Sequence, residues 1–421
     1  MRVTLWTFLL IWFLAGCNTR EHTNIFDPQN PADSMNIGLQ ITASTDQVVA
    51  LSWQSPGNVD YTGFNIYRKI AGQNSFSKLA TVCDTCFHFS DSAVVSDKEH
   101  LYYLTVQGKD KESIPSKSVT TVPGPGTFWL LDREDYTIYH VTYDLRHVLN
   151  TKYTIGRPQA MCFNGDYTRA LVVYSYFRYM ELFDVATGNG LKGFDDLTRP
   201  YDCIYNPFQK TFWIVDASAG GLYSLSPSGT TAPELIGSAP ESPVQIRFGG
   251  GHLYFVLDSD RNSVWVFDSD GAMVTELSDT AVVNMEQPQY IAASPDSQIL
   301  LIIDQRETER VLIKYDYAQR RTEEIFRSPD LALAAFDSVD SSIWLALNSA
   351  NSSKIVQLSI GGQRLVEKGS FTHISDLLVS PYTGHLLIAD GWAGVLYHFR
   401  RDFTLVGSSK TAYYPYKVYS Q

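Results

Sequence analysis

Three sets of side chains in this chain have types and spacings that could do chemistry. The first lies in a series of similar strand texts: Asp202 in RPYDCIYN, Gln245 in SPVQIRFG, Tyr290 in QPQYIAAS and Asp376 in HISDLLVS, with Arg157 opening the related text RPQAMCFN. Converging carboxylate, amide, phenol and guanidinium groups would hold a small polar ligand. They would make a poor cation site, because a hard cation takes six or more oxygens and only Asp202, Gln245 and Asp376 offer suitable ones. No metal and no other cofactor is expected. The second set is Asp132, Asp216, Asp258, Asp304 and Asp390, at one position of the repeat, where other copies carry Tyr174 and Asn348. Such a series reads as turn caps, since Asp accepts hydrogen bonds from the N–H groups that follow it. Asp258-Ser259-Asp260-Arg261-Asn262 opens like a calcium loop but lacks the later Gly and Glu, so a turn is expected there too.

The third set is the cysteines. Cys83 and Cys86 are spaced C-x-x-C, which suits a redox pair, half a zinc site or a short disulfide clip. No second C-x-x-C and no helical pattern follow, and in an oxidising compartment the disulfide is the expected form. Cys162 and Cys203 sit in neighbouring strand texts and are expected to be buried free thiols. The nine histidines show neither H-x-H nor H-E-x-x-H, and there is no G-x-S-x-G. No catalytic residue is assigned.

The elements that must position these groups are strands. Aromatics make up 13% of the 421 residues and charged residues 19%, a composition that favours β structure. So long a chain calls for two domains or a repeat array. The net charge of −12 argues against nucleic acid as a partner. Beneath the texts quoted above run apolar second strands, such as KTFWIVDA and HLYFVLDS, and then aromatic third strands. The unit recurs about every forty to forty-five residues, the interval of a four-stranded propeller blade. Thr127–Thr151 lacks an inner strand, and Tyr413–Gln421 reads as an inner strand with nothing after it. Joined, they would complete a seventh blade and leave no free sheet edge. The strand texts, LLIADGWAGVLYHF above all, resemble NHL repeats and related propellers. In such propellers the starts of inner strands line the channel mouth. The position two after the strand-opening proline is read as Ala160, Asp202, Gln245, Tyr290, Leu333, Asp376 and Tyr416.

The N-terminus reads as an address. Residues 1–17 combine Arg2, an apolar run and Leu14-Ala15-Gly16-Cys17, the form of a signal peptide. The last four residues resemble a bacterial lipobox, which implies lipidation of Cys17 and cleavage before it. Asn18 rather than Asp follows, which by the same resemblance points to the outer membrane. Residues 18–35 are polar and form a tether, and FDPQNP within them resembles a segment that often follows the lipobox.

Residues 36–122 alternate as seven short strands, the pattern of a β-sandwich. Leu51-Ser52-Trp53, the run Tyr61–Arg68 and the run Leu101–Val106 resemble a fibronectin type III domain. Residues 123–126, Pro-Gly-Pro-Gly, read as a hinge. The expected fold is thus all-β: a fibronectin type III sandwich, then a seven-bladed propeller over 127–421 closed by the C-terminal strand. The expected function is a non-enzymatic, lipid-anchored envelope protein that acts as a binding or scaffold module, meeting a protein, peptide or glycan through its propeller. The alternative is an extracytoplasmic enzyme, a lactonase or sugar-derivative lyase, working in the axial pocket.

Overall fold

The computed structural model describes residues 23–420 except 28, 31, 239, 279–282, 284 and 295–297. Cys17 and the expected signal segment lie outside them. The chain divides into a smaller unit that runs to Thr121 and a larger one from Val122 onward. No helix among the described residues is long and apolar enough to cross a membrane.

In the smaller unit alternating apolar residues form two sheets. One orders the strands Gln40–Ser44, Val49–Ser52 and His88–Asp91; the other orders Ser77–Cys83, Gly63–Ile70, His100–Gln107 and Val119–Thr121. Both sheets contribute to one core that holds Val49, Leu51, Phe64, Ile66, Tyr102 and Leu104. Trp53 meets Phe64 edge-on at 5.4 Å. Asp91, buried at the end of its strand, accepts from the Tyr102 hydroxyl at 2.8 Å and from Arg68 at 2.6 Å. Cys83 and Cys86 form a disulfide with Cα atoms 5.2 Å apart.

The larger unit contains, among the described residues, seven four-stranded antiparallel sheets. Each opens on a lead strand. In chain order these are Ala160–Phe163, Pro200–Asn206, Pro243–Gly249, Pro288–Ala293, Leu331–Asp337, Ile374–Val379 and Pro415–Ser420. The last belongs to a sheet whose other strands come from the start of the unit: Pro415–Ser420 pairs with Phe128–Asp132, with Ser420 opposite Phe128 and Val418 opposite Leu130. Second strands are buried from end to end, as in Leu253–Asp258 and Leu386–Asp390, because both of their faces meet other sheets. Fourth strands are wet, and Arg364–Phe371 is exposed along almost all its length.

Every sheet packs its apolar residues against the next. Trp213 and Val215 of the second sheet meet Tyr254 and Val256 of the third, for example. Trp129 and Leu131 of the seventh sheet meet Met161 and Val172 of the first, so the succession of cores returns to its start.

Candidate functional site

Each lead strand is the edge of its sheet, so half of its backbone N–H groups have no partner within that sheet. A bulge near the start of the strand re-aims the chain. It falls between Pro200 and Asp202, Pro243 and Gln245, Pro288 and Tyr290, Ile374 and Asp376, and Pro415 and Lys417. The residue just past the bulge faces a cavity of about 920 Å³ lined by all seven lead strands. In the seventh sheet that residue is Lys417, opposite Leu131. The expectation of Tyr416 there falls one residue early: two past Pro415, the spacing of Asp202, Gln245 and Tyr290 from their prolines, is Lys417.

Asp202, Gln245, Tyr290 and Asp376 all line this cavity. Three of them share one geometry. Asp202 accepts from the Ile246 N–H at 3.2 Å, Gln245 from the Ile291 N–H at 2.7 Å and Asp376 from the Val418 N–H at 2.8 Å. In each case the donor lies on the lead strand of the following sheet, one residue past its own bulge. Tyr419 treats the first sheet alike, accepting from the Met161 N–H at 2.9 Å. These side chains tie neighbouring sheets together.

The charges are also answered within the cavity. Arg247 donates to Asp202 at 2.7 Å and to the Ile246 carbonyl at 2.6 Å, and Lys417 lies 3.8 Å from the other Asp202 oxygen. Burial alone would lower the Arg247 pKa, but the Asp202 charge reverses this and the net shift is upward. Burial raises the Asp376 carboxyl against the opposing effects of the Val418 N–H and Lys417. Burial likewise pushes the Tyr290 phenol up to about 12, with Arg247 opposing, so Tyr290 is a neutral donor. Two carboxylates facing two cations leave no surplus charge for an ion. Among the described residues no group of three or more His, Cys, Asp or Glu side chains could hold a metal. Arg247 and Lys417 were not singled out from sequence; Arg247 stands two residues beyond Gln245, and the strand period puts both on one face.

Arg157 is not with the others. It lies in a neighbouring cleft, half exposed, and pairs with Glu134 at 2.8 Å. Cys162 and Cys203 are buried free thiols on the cavity wall. Burial, with Cys203 next to it, pushes the Cys162 thiol well up, which keeps it protonated. Asp132, Asp216, Asp258 and Asp390 cap turns and also clamp the incoming lead strand, while Asp304 clamps the Glu286 and Gln287 N–H groups. Asp216 accepts from Ser218 and Ala219 behind it at 2.8 and 2.9 Å, and from Thr198 and Arg199 in front at 2.6 and 3.1 Å. Asp258 does the same with Asp260, Arg261, Glu241 and Ser242, so the calcium-like stretch is a turn. Where Asn348 stands instead, it accepts from the Ile374 N–H at 3.0 Å and donates to the Ile374 carbonyl at 2.8 Å.

No protein-family model and no curated protein matches the chain. Solved structures do match in shape. A protein from Lactobacillus plantarum aligns with a TM-score of 0.56 at 12% identity, over 70% of this chain and 99% of that one. The periplasmic gluconolactonase of Pseudomonas aeruginosa aligns at 0.54 and 11%, over 70% and 98%. A putative 6-phosphogluconolactonase from Bacteroides uniformis aligns at 0.53 and 14%, over 70% and 99%. The larger unit has a β-propeller fold. At these identities the likeness concerns fold alone. The matched share is about what the larger unit makes up of the chain, and the cavity among the lead strands is where a propeller's axis runs.

Proposed function

We propose that this chain is a lipid-anchored, extracytoplasmic binding protein with no catalytic activity. In this reading Cys17 carries the lipid, residues 18–35 are the tether and the outer membrane is the destination. A fibronectin type III domain over 36–122 holds out a seven-bladed propeller over 127–421, closed by its C-terminal strand. The three-plus-four strand order of the smaller unit supports the first assignment. The cores that run from sheet to sheet and back to the first support the second. The Cys83–Cys86 disulfide suits an oxidising compartment.

One observation carries the functional reading. The acceptor groups of Asp202, Gln245 and Asp376, which an axial enzyme would need free, are committed to backbone N–H groups of the next sheet. The axis is thus a brace, and recognition falls to the exposed face around it. Two measurements on the purified chain test this. Hydrolysis of glucono-δ-lactone is expected at the background rate, the same in Asp202→Asn/Asp376→Asn, and elemental analysis is expected to find no stoichiometric divalent metal. Turnover that disappears in the double variant would overturn the proposal.

A second reading has one observation in its favour. Asp376, its pKa raised by burial, faces a cavity of about 920 Å³ and would serve as a proton donor. The lactone assay decides between the two.

A further inference from the structure

Beside the axial cavity, and sharing Gln159 and Tyr201 with it, lies a cleft of about 690 Å³. Four arginines line it: Arg133, Arg157, Arg178 and Arg199, drawn from three consecutive sheets. No Asp or Glu is among its lining residues, in a chain whose net charge is −12. Arg157 has Glu134 at its rim. Among the described residues Arg133, Arg178 and Arg199 form no ion pair; Arg133 and Arg199 lie over the Tyr416 and Tyr201 rings at 4.6 and 5.5 Å.

The same edge of the next two sheets shows what this repeat ordinarily does. There Arg261 pairs with Glu241, and Arg306 pairs with Glu286 at 2.6 Å and Asp304 at 2.8 Å. Around the cleft, by contrast, three of the four arginines have no carboxylate partner among the described residues. Like charges held together without counter-charges destabilise a fold, so the cluster calls for an anionic ligand.

The cleft is also built rather than incidental. The first sheet carries a 3-10 turn, Ser175–Phe177, which ends on Arg178 in a left-handed conformation (φ 53°, ψ 44°). The Phe177 ring is seated over Gly156, where a Cβ would come within 1.9 Å of it. This leaves Tyr176 86% exposed at the cleft. The remaining wall is rich in hydrogen-bonding groups: Gln159, Ser175, Thr198 and Ser218. Guanidinium forks recognise carboxylates in two-point fashion. Exposed aromatic faces take the electropositive C–H groups of a sugar ring, and the amide and hydroxyl groups suit its hydroxyls.

We infer that this cleft binds an acidic oligosaccharide, with uronate carboxylates on the arginines and sugar faces on Tyr176 and its neighbours. This rests on the reading of the propeller as a binding module and names the ligand class of its exposed face. The test is calorimetric titration of the full chain with tri-galacturonate and tri-mannuronate. At least one should bind, more weakly as salt rises. The methyl ester of the same trisaccharide, which lacks the charge, should bind at least about tenfold more weakly. Arg178→Gln/Arg199→Gln should weaken binding about tenfold or more with a melting temperature no lower than the parent's, since both side chains are at the surface and their mutual repulsion is relieved. Gly156→Ala, which displaces Phe177, should weaken it as well. Three results overturn the inference: no binding of either trisaccharide at millimolar concentration, equal binding of acid and ester, or tighter binding of hexaglutamate, which would make the cleft a peptide site. Lactone turnover would refute the non-enzymatic reading and leave these titrations readable.

Discussion

Replacing Asp202 with Ala should destabilise the propeller by an amount that its contacts define. The carboxylate, 5% exposed, accepts from the Ile246 and Cys203 N–H groups at 3.2 and 3.1 Å and from Arg247 at 2.7 Å. Each buried N–H left without an acceptor costs about 1–3 kcal/mol. Arg247 is 29% exposed and keeps the Ile246 carbonyl at 2.6 Å, so the lost ion pair adds about 1 kcal/mol at most once solvent screening is allowed for. The sum is about 2–7 kcal/mol for Asp202→Ala. Asp202→Asn keeps an oxygen for Ile246 and Arg247 but gives up the charge and turns its amide nitrogen, a donor, toward the Cys203 N–H, at about 1–3 kcal/mol. For a unit of this size that is a drop in melting temperature of roughly 4–14 °C for Ala and roughly 2–6 °C for Asn. Thermal unfolding followed by near-ultraviolet circular dichroism reads both. If Asp202→Ala melts within about 1 °C of the parent, the side chain is no brace. If Asn costs as much as Ala, the charge and the Cys203 N–H bond rather than the inter-sheet hydrogen bond hold the axis together.

Asp376 should show itself in pH dependence. Its folded-state pKa is raised by burial, so between the ordinary carboxylate pKa and the raised one the folded chain binds more protons than the unfolded chain. Stability due to this group therefore falls as pH rises through that window. Asp376→Asn keeps an oxygen for the Val418 N–H, so its stability relative to the parent should rise with pH through the window and then level off in urea melts from about pH 4 to 7. Deleting 415–421 removes the lead strand of the seventh sheet, together with the Asp376–Val418 and Met161–Tyr419 bonds. The whole propeller should then unfold well below the parent temperature in a single transition, and an unchanged melt would show that closure does not matter. Asp216→Ala strips acceptors from four N–H groups and should cost about 2–4 kcal/mol in chemical denaturation. In a C17A chain no thiol should react with a mild disulfide reagent until the protein unfolds, when Cys162 and Cys203 appear together.

Local pattern made much of the strand architecture readable. The second strands announce themselves as unbroken apolar runs, which strands buried on both faces require. The repeated Asp at their ends is legible because its hydrogen bonds reach only a few residues ahead. What escaped was each aspartate's second task. The partners of Asp216 at Thr198 and Arg199 lie across a bulge that no alternation of apolar and polar residues marks. The place of Lys417, by contrast, was open to counting, since it stands two past Pro415 as Asp202 stands two past Pro200. Arg247 was within reach of period-two reasoning, whereas Arg178 was not. Its position depends on the extra turn at Ser175–Phe177, which the sheets from the second to the seventh do not share.

By itself, then, the sequence determined what depends on neighbours along the chain: which stretches are strands, where they turn, how often the unit recurs, and which strand ends hold polar residues. Tertiary structure alone decided what those residues do. Whether Asp202 is a ligand or a brace turns on the Ile246 N–H of the next sheet. Whether Arg178 and Arg199 are solvated singly or gathered in one cleft turns on how three sheets pack. Hydrogen bonds and charge interactions act over a few ångströms of space, and in a series of packed sheets such distances join residues from separate repeats.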